Sequence, residues 1–368
     1  MNKLKILFVT TTLFGVRGTT GTYRLISILA KFHNVLVVTP NNINQEKHIV
    51  FIDNSIKIVK IVDRSNKGSL LKIKNLIDTF CPDIVYMFNS PNIINYLYHL
   101  SPIFPETKWI ADFKTPLLQE GHTRKKIRQK SFLSQFYLDA IFTLSRHSTK
   151  TWIPFLMRKT LEYPLGLDLS LFTPKKIVSE HIYCHKFVFI GSLHPYRKLD
   201  FLINNFCRII RDKPDIPFTL DIYGSGSAAT PLKRLIRRNS MTDRIHLCGL
   251  LEQEKLFDKL KDYDAGIAYV PTQKYNKSPS LKVIEYVAAG LPAFASDTIG
   301  HRKQMDNGLS FTLFKNTPAS FIETITSSAS SGIKTENINN NLKAIHRYDY
   351  RSIIKYYIEP HLQALTSG

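Results

Sequence analysis

Short apolar runs alternate with amphipathic segments along the chain, and this alternation restricts the fold more than any other feature of the sequence. In the first half, the apolar runs include KILFVTT, NVLVVTP and PDIVYMF. The series starts again at HKFVFIGSL and continues through FTLDIYG, RIHLCGL and AGIAYVP. Strands that alternate with helices form parallel sheets with helices on both faces. The sequence therefore predicts an α/β protein with two Rossmann-like domains that face each other across a cleft.

The restart of the pattern sets the predicted domain boundaries. A chain of 368 residues is long for a single core and suits two domains of ordinary size. We expect a first domain over residues 1–172 and a second over residues 173–345. A Tyr-rich amphipathic helix over residues 346–368 is expected to pack back on the first domain.

The charge of the chain predicts an anionic partner. Lys and Arg number 50 against 29 Asp and Glu, which gives a formal net charge of +21. Nucleic acid, an anionic membrane surface and phosphorylated small molecules all fit such a positive field. The cluster RKKIRQK, residues 124–130, adds to this charge in the first half of the chain. Together they suggest docking to an anionic membrane, as a hypothesis.

Cysteine usage and hydropathy favour a cytoplasmic protein that holds no metal. Cys81, Cys184, Cys207 and Cys248 are widely spaced, without a C-x-x-C pair. The N-terminal run KILFVTTTLFG lacks a small-residue cleavage site and leads into a glycine-containing loop, so it is interpreted as a buried strand and not as a signal peptide. No segment reaches the roughly 18 apolar residues that span a bilayer. A membrane contact would therefore be peripheral, on the cytoplasmic face.

Two glycine-rich turns follow predicted strands. The first, FGVRGTTG, precedes a helix and offers backbone to a phosphate or an acceptor. The second contains Gly224, Gly226 and Ala229, which match the G-x-G-x-x-A dinucleotide fingerprint. A nicotinamide site needs an acid at the end of the next strand to hold the ribose, whereas Asp243 precedes that strand. The fingerprint is therefore not interpreted as a nicotinamide site, and no cofactor is expected.

A third turn and a later helix carry the strongest chemical signal. Arg197 and Lys198 lie just beyond a strand end, where two cations could neutralise a diphosphate. In SPSLKVIEYVAAG, Ser278 is the predicted N-cap, with a proline at the first helical position. Glu285 lies little more than one turn inside this otherwise apolar helix. Because an unpaired buried carboxylate costs several kcal/mol, a ribose diol would be a suitable partner.

In these segments and their order, the chain resembles the GT-B glycosyltransferases, particularly retaining family 4. FVFIGSLHPYRKLDFLI, LDIYGSGSAATPLKRLI and SLKVIEYVAAGLPAFAS follow one another at the family's separations, after the interdomain-like segment LEYPLGLDLSLFTP. The resemblance implies a first domain that binds the acceptor and a second that binds the nucleotide-sugar. In particular, Glu285 would bind the ribose, Arg197 and Lys198 the diphosphate, and the turn at Leu250 and Leu251 the nucleobase. The implied donor-binding positions are Arg197, Lys198, Gly224, Leu250, Leu251, Ser278, Ser280, Leu281 and Glu285, and the implied acceptor or N-terminal loop positions are Gly18, Thr19, Gly21 and Asn89.

Three positions depart from the family pattern. Lys277 replaces the first acid of the paired-glutamate motif, and Ser192 replaces the arginine of the diphosphate turn. Asn89 follows the PDIV strand where the family often has histidine. The resemblance implies metal-independent transfer, in which a retaining enzyme needs no protein base. An inverting enzyme would need a carboxylate, for which Asp112 at the end of TKWIADF is the candidate.

The sequence thus predicts a glycosyltransferase that moves a sugar from a nucleotide-sugar donor to a glycan or lipid-linked saccharide, in cell-surface polysaccharide or glycolipid assembly. Two alternatives remain open. A nucleic-acid-binding protein on a degenerate transferase fold would explain the basic charge, but the sequence contains no aromatic stacking motif, and no nucleic acid is expected. A nucleotide-sugar epimerase would need a set of acid and base residues that the motifs do not supply.

Overall fold

The computed structural model describes residues 2–10, 13–15, 20–40, 56–61, 66–88, 93–117 and 119–367. The chain divides into two compact units. The first comprises Met1–Gly166 together with Tyr350–Gly368, and the second is Leu167–Asp349. The divisions lie at 166/167 and 349/350, whereas the sequence placed them at 172/173 and 345/346.

The first unit is built on a seven-stranded sheet whose paired strands are all parallel, in the order β3-β2-β1-β4-β5-β6-β7. Its strands are β1 (Lys5–Val9), β2 (Asn34–Pro40), β3 (Lys57–Ile61), β4 (Ile84–Phe88), β5 (Lys108–Phe113), β6 (Ala140–Thr143) and β7 (Lys159–Glu162). Its helices are α1 (Thr20–Leu29), α2 (Asn66–Phe80), α3 (Ile93–Leu100), α4 (Gly121–Ser134) and α5 (Arg146–Thr149). The C-terminal helix, residues 350–366, adds Tyr350–Ile353, Ile354–Ile358 and Glu359–Thr366.

Alternation along β1 supplies both faces of this sheet. Ile6 and Phe8 lie in one buried apolar cluster, which also contains Ile353 and Ile358 of the C-terminal helix. Leu7 belongs to the cluster on the other face, which includes side chains of α2. Successive side chains of a strand point to opposite faces, so a continuous apolar run such as KILFV is buried on both. The C-terminal helix thus packs within the first unit.

The second unit is built on a six-stranded parallel sheet in the order β11-β10-β9-β12-β13-β14. Its strands are β9 (Lys186–Ile190), β10 (Thr219–Tyr223), β11 (Ile245–Gly249), β12 (Ala265–Ala268), β13 (Ala293–Ser296) and β14 (Thr312–Phe314), and β8 (His181–Ile182) pairs antiparallel with β15 (Ile333–Lys334). Its helices are α6 (Leu199–Asp212), α7 (Ala229–Arg238), α8 (Gln253–Lys259), α9 (Thr272–Tyr275), α10 (Leu281–Ala288), α11 (Ile299–Asp306), α12 (Pro318–Ser330) and α13 (Thr335–Ala344).

The strand order of each sheet reverses at one place, which positions a ligand site. In the second unit β9 lies between β10 and β12, and in the first unit β1 lies between β2 and β4. The chain segments that follow the two strands at this place run in opposite directions. A crevice therefore opens between them, beyond the carboxyl ends of the two central strands. Ligands of doubly wound folds bind in this crevice. The predicted α/β architecture with two Rossmann-like sheets is confirmed.

Candidate functional site

The turn after β9 is built by close packing of backbone against backbone. Gly191 N donates to Tyr223 O at 3.0 Å, and Leu193 N donates to Ser225 O at 2.8 Å. A Cβ atom at Gly224 would lie 1.8 Å from Gly191 O. One at Gly226 would lie 2.3 Å from Leu193 O. The glycines of the apparent dinucleotide fingerprint therefore let the β10 turn press against the β9 turn.

Arg197 is held at the end of this turn by two contacts. Its Nε donates to Ser192 Oγ at 3.3 Å, and its guanidinium stacks 4.5 Å from the centroid of the Tyr275 ring. Lys198 caps the start of α6 with φ +49° and ψ +46°, a left-handed conformation that is uncommon for lysine. Both predicted diphosphate cations thus lie beyond the carboxyl end of β9, next to a helix N-terminus.

Helix α10 begins two residues later than predicted. Its N-cap is Ser280 and its first residue is Leu281, whereas the sequence predicted Ser278 as N-cap and Pro279 as first residue. The carbonyl of Ser278 packs on Gly300, where an added Cβ would lie 2.1 Å from that oxygen. This contact holds Ser278 and Pro279 in the connection before the helix. The predicted cap is therefore wrong, while Ser280 and Leu281 remain at the helix start.

The position of α10 over the strand reversal is fixed by its aromatic residue. The ring of Tyr286 lies over Gly266 of β12, where a Cβ would be 2.2 Å from the ring. Its hydroxyl accepts a hydrogen bond from Ile190 N, the last residue of β9, at 3.1 Å. One side chain thus fastens α10 to both central strands. The start of this helix lies beside the crevice that the fold provides.

Glu285, which is buried, and Lys282, which is half-buried, lie three residues apart on α10 and influence each other's charge. Glu285 is only 7% exposed, and burial raises its pKa to about 7, although the charge of Lys282 opposes the shift. Burial first, and then the charge of Arg197, lower the pKa of Lys282 to about 8, while Glu285 opposes that shift. Lys282 Nζ lies 5.2 Å from the centroid of Phe189 in β9. Two cations and one carboxyl therefore converge on the β9 edge.

The other predicted donor positions lie at or next to the carboxyl ends of the strands of the same sheet. Leu250 and Leu251 follow the carboxyl end of β11, and the Leu250 side chain is 58% exposed. Lys277 is exposed in the connection between α9 and α10. Among the residues that the structure describes, no group of three His, Cys, Asp or Glu side chains is arranged to hold a metal ion.

Asp112, the candidate base of an inverting enzyme, is the next-to-last residue of β5 in the first unit. Its side chain is fully buried, and its Oδ2 accepts hydrogen bonds from Tyr163 Oη at 2.6 Å and Tyr86 Oη at 2.9 Å. Burial raises the pKa of Asp112, while Lys114 and the two hydroxyls oppose the shift. This arrangement orders the interior of the sheet at β4 and β5. A general base must reach the hydroxyl that it deprotonates, and in this structure the Asp112 side chain is not exposed to solvent.

Lys114, the residue after β5, is half-buried beside Asp112, with its Nζ 4.0 Å from Asp112 Oδ2. Its ammonium lies 4.7 Å from the Phe88 centroid and donates to Thr22 Oγ1 at 3.4 Å. Gly21, at the start of α1, lies against the Tyr350 hydroxyl, which an added Cβ would approach to 2.6 Å. The remaining N-terminal predictions, Gly18, Thr19 and Asn89, lie outside the described residues.

Comparison with known proteins finds a family match for the part of the chain that contains Arg197, Lys282 and Glu285. Residues 184–330 match the family model described as glycosyl transferases group 1. The chain is similar to this family over that segment, which is less than half of its length. A D-inositol 3-phosphate glycosyltransferase of Geodermatophilus obscurus is 26% identical over 171 residues, which cover 42% of this chain and 37% of that relative. The chain thus matches little more than a third of that relative's length.

Solved structures extend the likeness in fold to both units of the chain. HepE of Anabaena, in a crystal structure with UDP, is 16% identical with a TM-score of 0.75, and the alignment covers 98% of this chain and 100% of HepE. A glycosyltransferase of Rickettsia africae is 13% identical with a TM-score of 0.76, and the alignment covers all of both chains. At this level of identity the likeness establishes the fold, which is GT-B.

Lys282, which the sequence analysis did not single out, adds a cation beside the β9 turn. The sequence contains a signal for it, because Ser192 stands where the resemblance implies an arginine, and Lys282 adds a cation at the second residue of α10. The structure shows that the two positions are close. The Cε atom of Lys282 lies 3.1 Å from where a Cβ of Gly191 would be, one residue before Ser192.

Proposed function

We propose that this chain transfers a glycosyl group from a nucleotide-sugar donor to a saccharide hydroxyl. Glu285 carries the proposal. A carboxyl that is buried one turn inside a helix, beside the crevice of a doubly wound sheet, lacks the water that an ionised acid requires. The two hydroxyls of a ribose would replace that water and stabilise the charged form. The likeness of residues 184–330 to group 1 glycosyl transferases supports this assignment.

The diphosphate is proposed to lie between Arg197, Lys198 and Lys282. The charge of Arg197 lowers the pKa of Lys282, which indicates that the two cations are near enough to repel each other. A diphosphate bound between them would remove this repulsion and gain two charge-assisted hydrogen bonds. The N-terminus of α10 adds backbone N–H groups at Ser280 and Leu281 with the favourable sign of the helix dipole.

The proposed reaction is retaining and independent of a metal. The bond between the sugar C1 and the phosphate oxygen breaks, and a bond forms between C1 and the acceptor oxygen. The acceptor proton moves to the departing phosphate oxygen, so that no protein carboxylate is needed as a base. Arg197 and Lys282 would stabilise the charge that develops on the leaving group. Unchanged turnover in excess chelator is the expected result, and its loss would contradict the metal-independent part.

The acceptor is proposed to be a glycan or a lipid-linked saccharide, in cell-surface polysaccharide or glycolipid assembly on the cytoplasmic face of a membrane. Support comes from the charge of +21 and from the basic helix α4 of the first unit. Among the described residues, every helix is too short or too polar to cross a bilayer. Contact with a membrane would therefore be made at its surface.

A thermal-shift panel tests donor binding. UDP, GDP, dTDP and ADP are compared first, and then their sugars, with UDP as the first candidate because HepE was crystallised with it. We expect one diphosphate to raise the melting temperature, and Glu285→Ala to abolish the shift without loss of the fold. Glu254→Ala, an exposed acid on α8, is the matched control and should keep the shift. Stabilisation by none of the four diphosphates would contradict the proposal.

A further inference from the structure

Helix α4 and the chain after α5 line a cavity in the first unit that is open to solvent and separate from the donor site. The cavity has a volume of about 490 Å³. One stripe of α4 forms its wall with Arg124, Lys125, Arg128 and Phe132, and Phe155 also lines it. Residues at these spacings lie on one face of a helix. We call this surface the α4 cradle.

The charge of the α4 cradle is not balanced by its own helix. The segment GHTRKKIRQKSFLS contains five Lys or Arg residues and no Asp or Glu. Arg124 and Arg128 are one turn apart on the wall, and Arg128 also donates to Thr151 O at 3.1 Å. An anion at the opening of this cavity could therefore accept hydrogen bonds from several cationic side chains.

Apolar side chains project beside these cations, on a chain segment that is held in place. Phe155 is 72% exposed and Met157 is 59% exposed. The buried side chain of Gln135 fastens the segment, because its Nε2 donates to Phe155 O at 3.0 Å and its Oε1 accepts from Met157 N at 2.8 Å. Arg158 Nε adds a hydrogen bond to Gln135 O at 2.8 Å. The two apolar side chains are thus presented on an ordered backbone.

We propose that the α4 cradle binds the anionic headgroup of a phospholipid at a membrane surface, with Phe155 and Met157 inserted among the lipid chains. A bilayer surface presents negative charge and apolar chains side by side, and the cradle presents their complements side by side. A soluble phosphorylated ligand would engage the cations but would leave Phe155 in water. This inference deepens the membrane part of the proposed function and is independent of donor binding.

Binding to vesicles tests the cationic half of the cradle. Co-sedimentation is compared for vesicles of phosphatidylcholine alone and vesicles that also contain phosphatidylglycerol. We expect the double variant Arg124→Gln, Lys125→Gln to bind the anionic vesicles about 30-fold more weakly. The control Lys233→Gln, Arg237→Gln removes the same charge from exposed positions of α7 and should bind nearly as the parent does. Equal losses in the two double variants would show that only net charge matters and would overturn the site.

Fluorescence tests the apolar half. Both natural tryptophans, Trp109 and Trp152, are buried, so Phe155→Trp adds the exposed indole. Its emission is expected to shift to shorter wavelength with the anionic vesicles and not with phosphatidylcholine alone. Phe155→Ser should weaken vesicle binding even at high salt, where the charged contacts are screened. An unchanged emission would overturn insertion.

Two further measurements separate this inference from its alternatives. RNA binding is measured by filter retention. If the affinity for RNA exceeds that for vesicles, and if it falls in the double variant Arg124→Gln, Lys125→Gln, the ligand of the cradle would be nucleic acid and not lipid. The thermal shift by nucleoside diphosphate is measured in the same variants and should stay at the parent's value. Loss of vesicle binding with an intact nucleotide shift therefore tests the cradle alone, and failure of the nucleotide panel leaves the vesicle result standing.

Discussion

Glu285 makes the stability of the second unit depend on pH. Burial raises its pKa to about 7 from 4.5, so between these values the folded state keeps a proton that the unfolded state has released. The contribution of Glu285 to the free energy of unfolding is complete below pH 4.5. It is lost as the pH rises through 7, and the total loss is about 3 kcal/mol. Glu285→Gln removes the titration. We therefore expect this variant to match the parent at pH 4 and to exceed its stability by up to that amount at pH 8.

Urea unfolding at the two pH values measures this difference. Glu254→Gln serves as the control, because it makes the same chemical change at an exposed position of α8. A Glu285→Gln variant that is less stable than the parent at pH 8 would show that the ionised carboxylate stabilises the fold. The gain in stability should accompany a loss of donor binding, because the amide cannot supply the charge that the ribose hydroxyls would satisfy.

Lys282 is expected to act on the phosphates and not on the nucleoside. Lys282→Gln removes one charge-assisted hydrogen bond, so we expect UDP to bind about 10- to 100-fold more weakly. Titration calorimetry should show no such change for uridine, which lacks the phosphates. Lys233→Gln, on the exposed face of α7, controls for the change in net charge. Equal weakening of UDP and uridine would place Lys282 in a structural role.

At the scale of elements, the contact between the β9 and β10 turns is expected to set the position of Arg197. Gly224→Ala would place a Cβ 1.8 Å from Gly191 O, and relief of that clash must move the backbone of one turn. We expect a loss of roughly 1–3 kcal/mol in stability together with weaker UDP binding. Gly249→Ala is the matched control, because its added Cβ meets no atom within 4 Å. Denaturant unfolding and UDP titration of both variants separate packing from the general cost of replacing glycine.

Much of the sheet was predictable because buried parallel strands are continuous apolar runs. The runs at β1, β9 and β12 carry this pattern in the sequence itself. Composition was less informative over residues 317–341, a stretch rich in Ser, Asn and Thr that forms most of α12 and α13. Their apolar faces are sparse, and Phe321 and Ile325 are buried by packing on the core of the second unit. Tertiary contacts there outweigh local preference.

Site residues were predictable where a local pattern specified them and unpredictable where distant residues did. Glu285 and Arg197 stand out by charge next to apolar segments. Asp112 has the same local pattern, yet its burial depends on Tyr86 and Tyr163, which are 26 and 51 residues away in the sequence. The start of α10 likewise depends on Gly300, which lies after the next strand. No local rule for helix caps contains such contacts.

At the scale of the whole molecule, the first unit is expected to require the end of the chain. Ile353, Ile358 and Leu362 are completely buried in one of its two apolar clusters. Glu359 is also buried, and its Oε2 lies 2.8 Å from His33 Nε2. Removal of residues 350–368 would remove three large apolar side chains from this cluster and expose the residues that they cover. Burial of each such side chain contributes about 1.5–3 kcal/mol to stability. That sum is comparable to the whole stability of an ordinary domain.

A chain that stops after Asp349 should therefore lose the first unit while the second remains folded. The second unit has its own sheet and its own apolar cluster, all within residues 167–349. Calorimetry should show one thermal transition fewer than in the full chain, and hydrogen exchange should show β9 and β12 still protected while β1 and β4 exchange rapidly. Leu362→Ala, which removes only part of one side chain, should lower the first transition without abolishing it. Loss of protection in β9 and β12 as well would show that the two units fold as one, because the second would then depend on a segment that lies outside it.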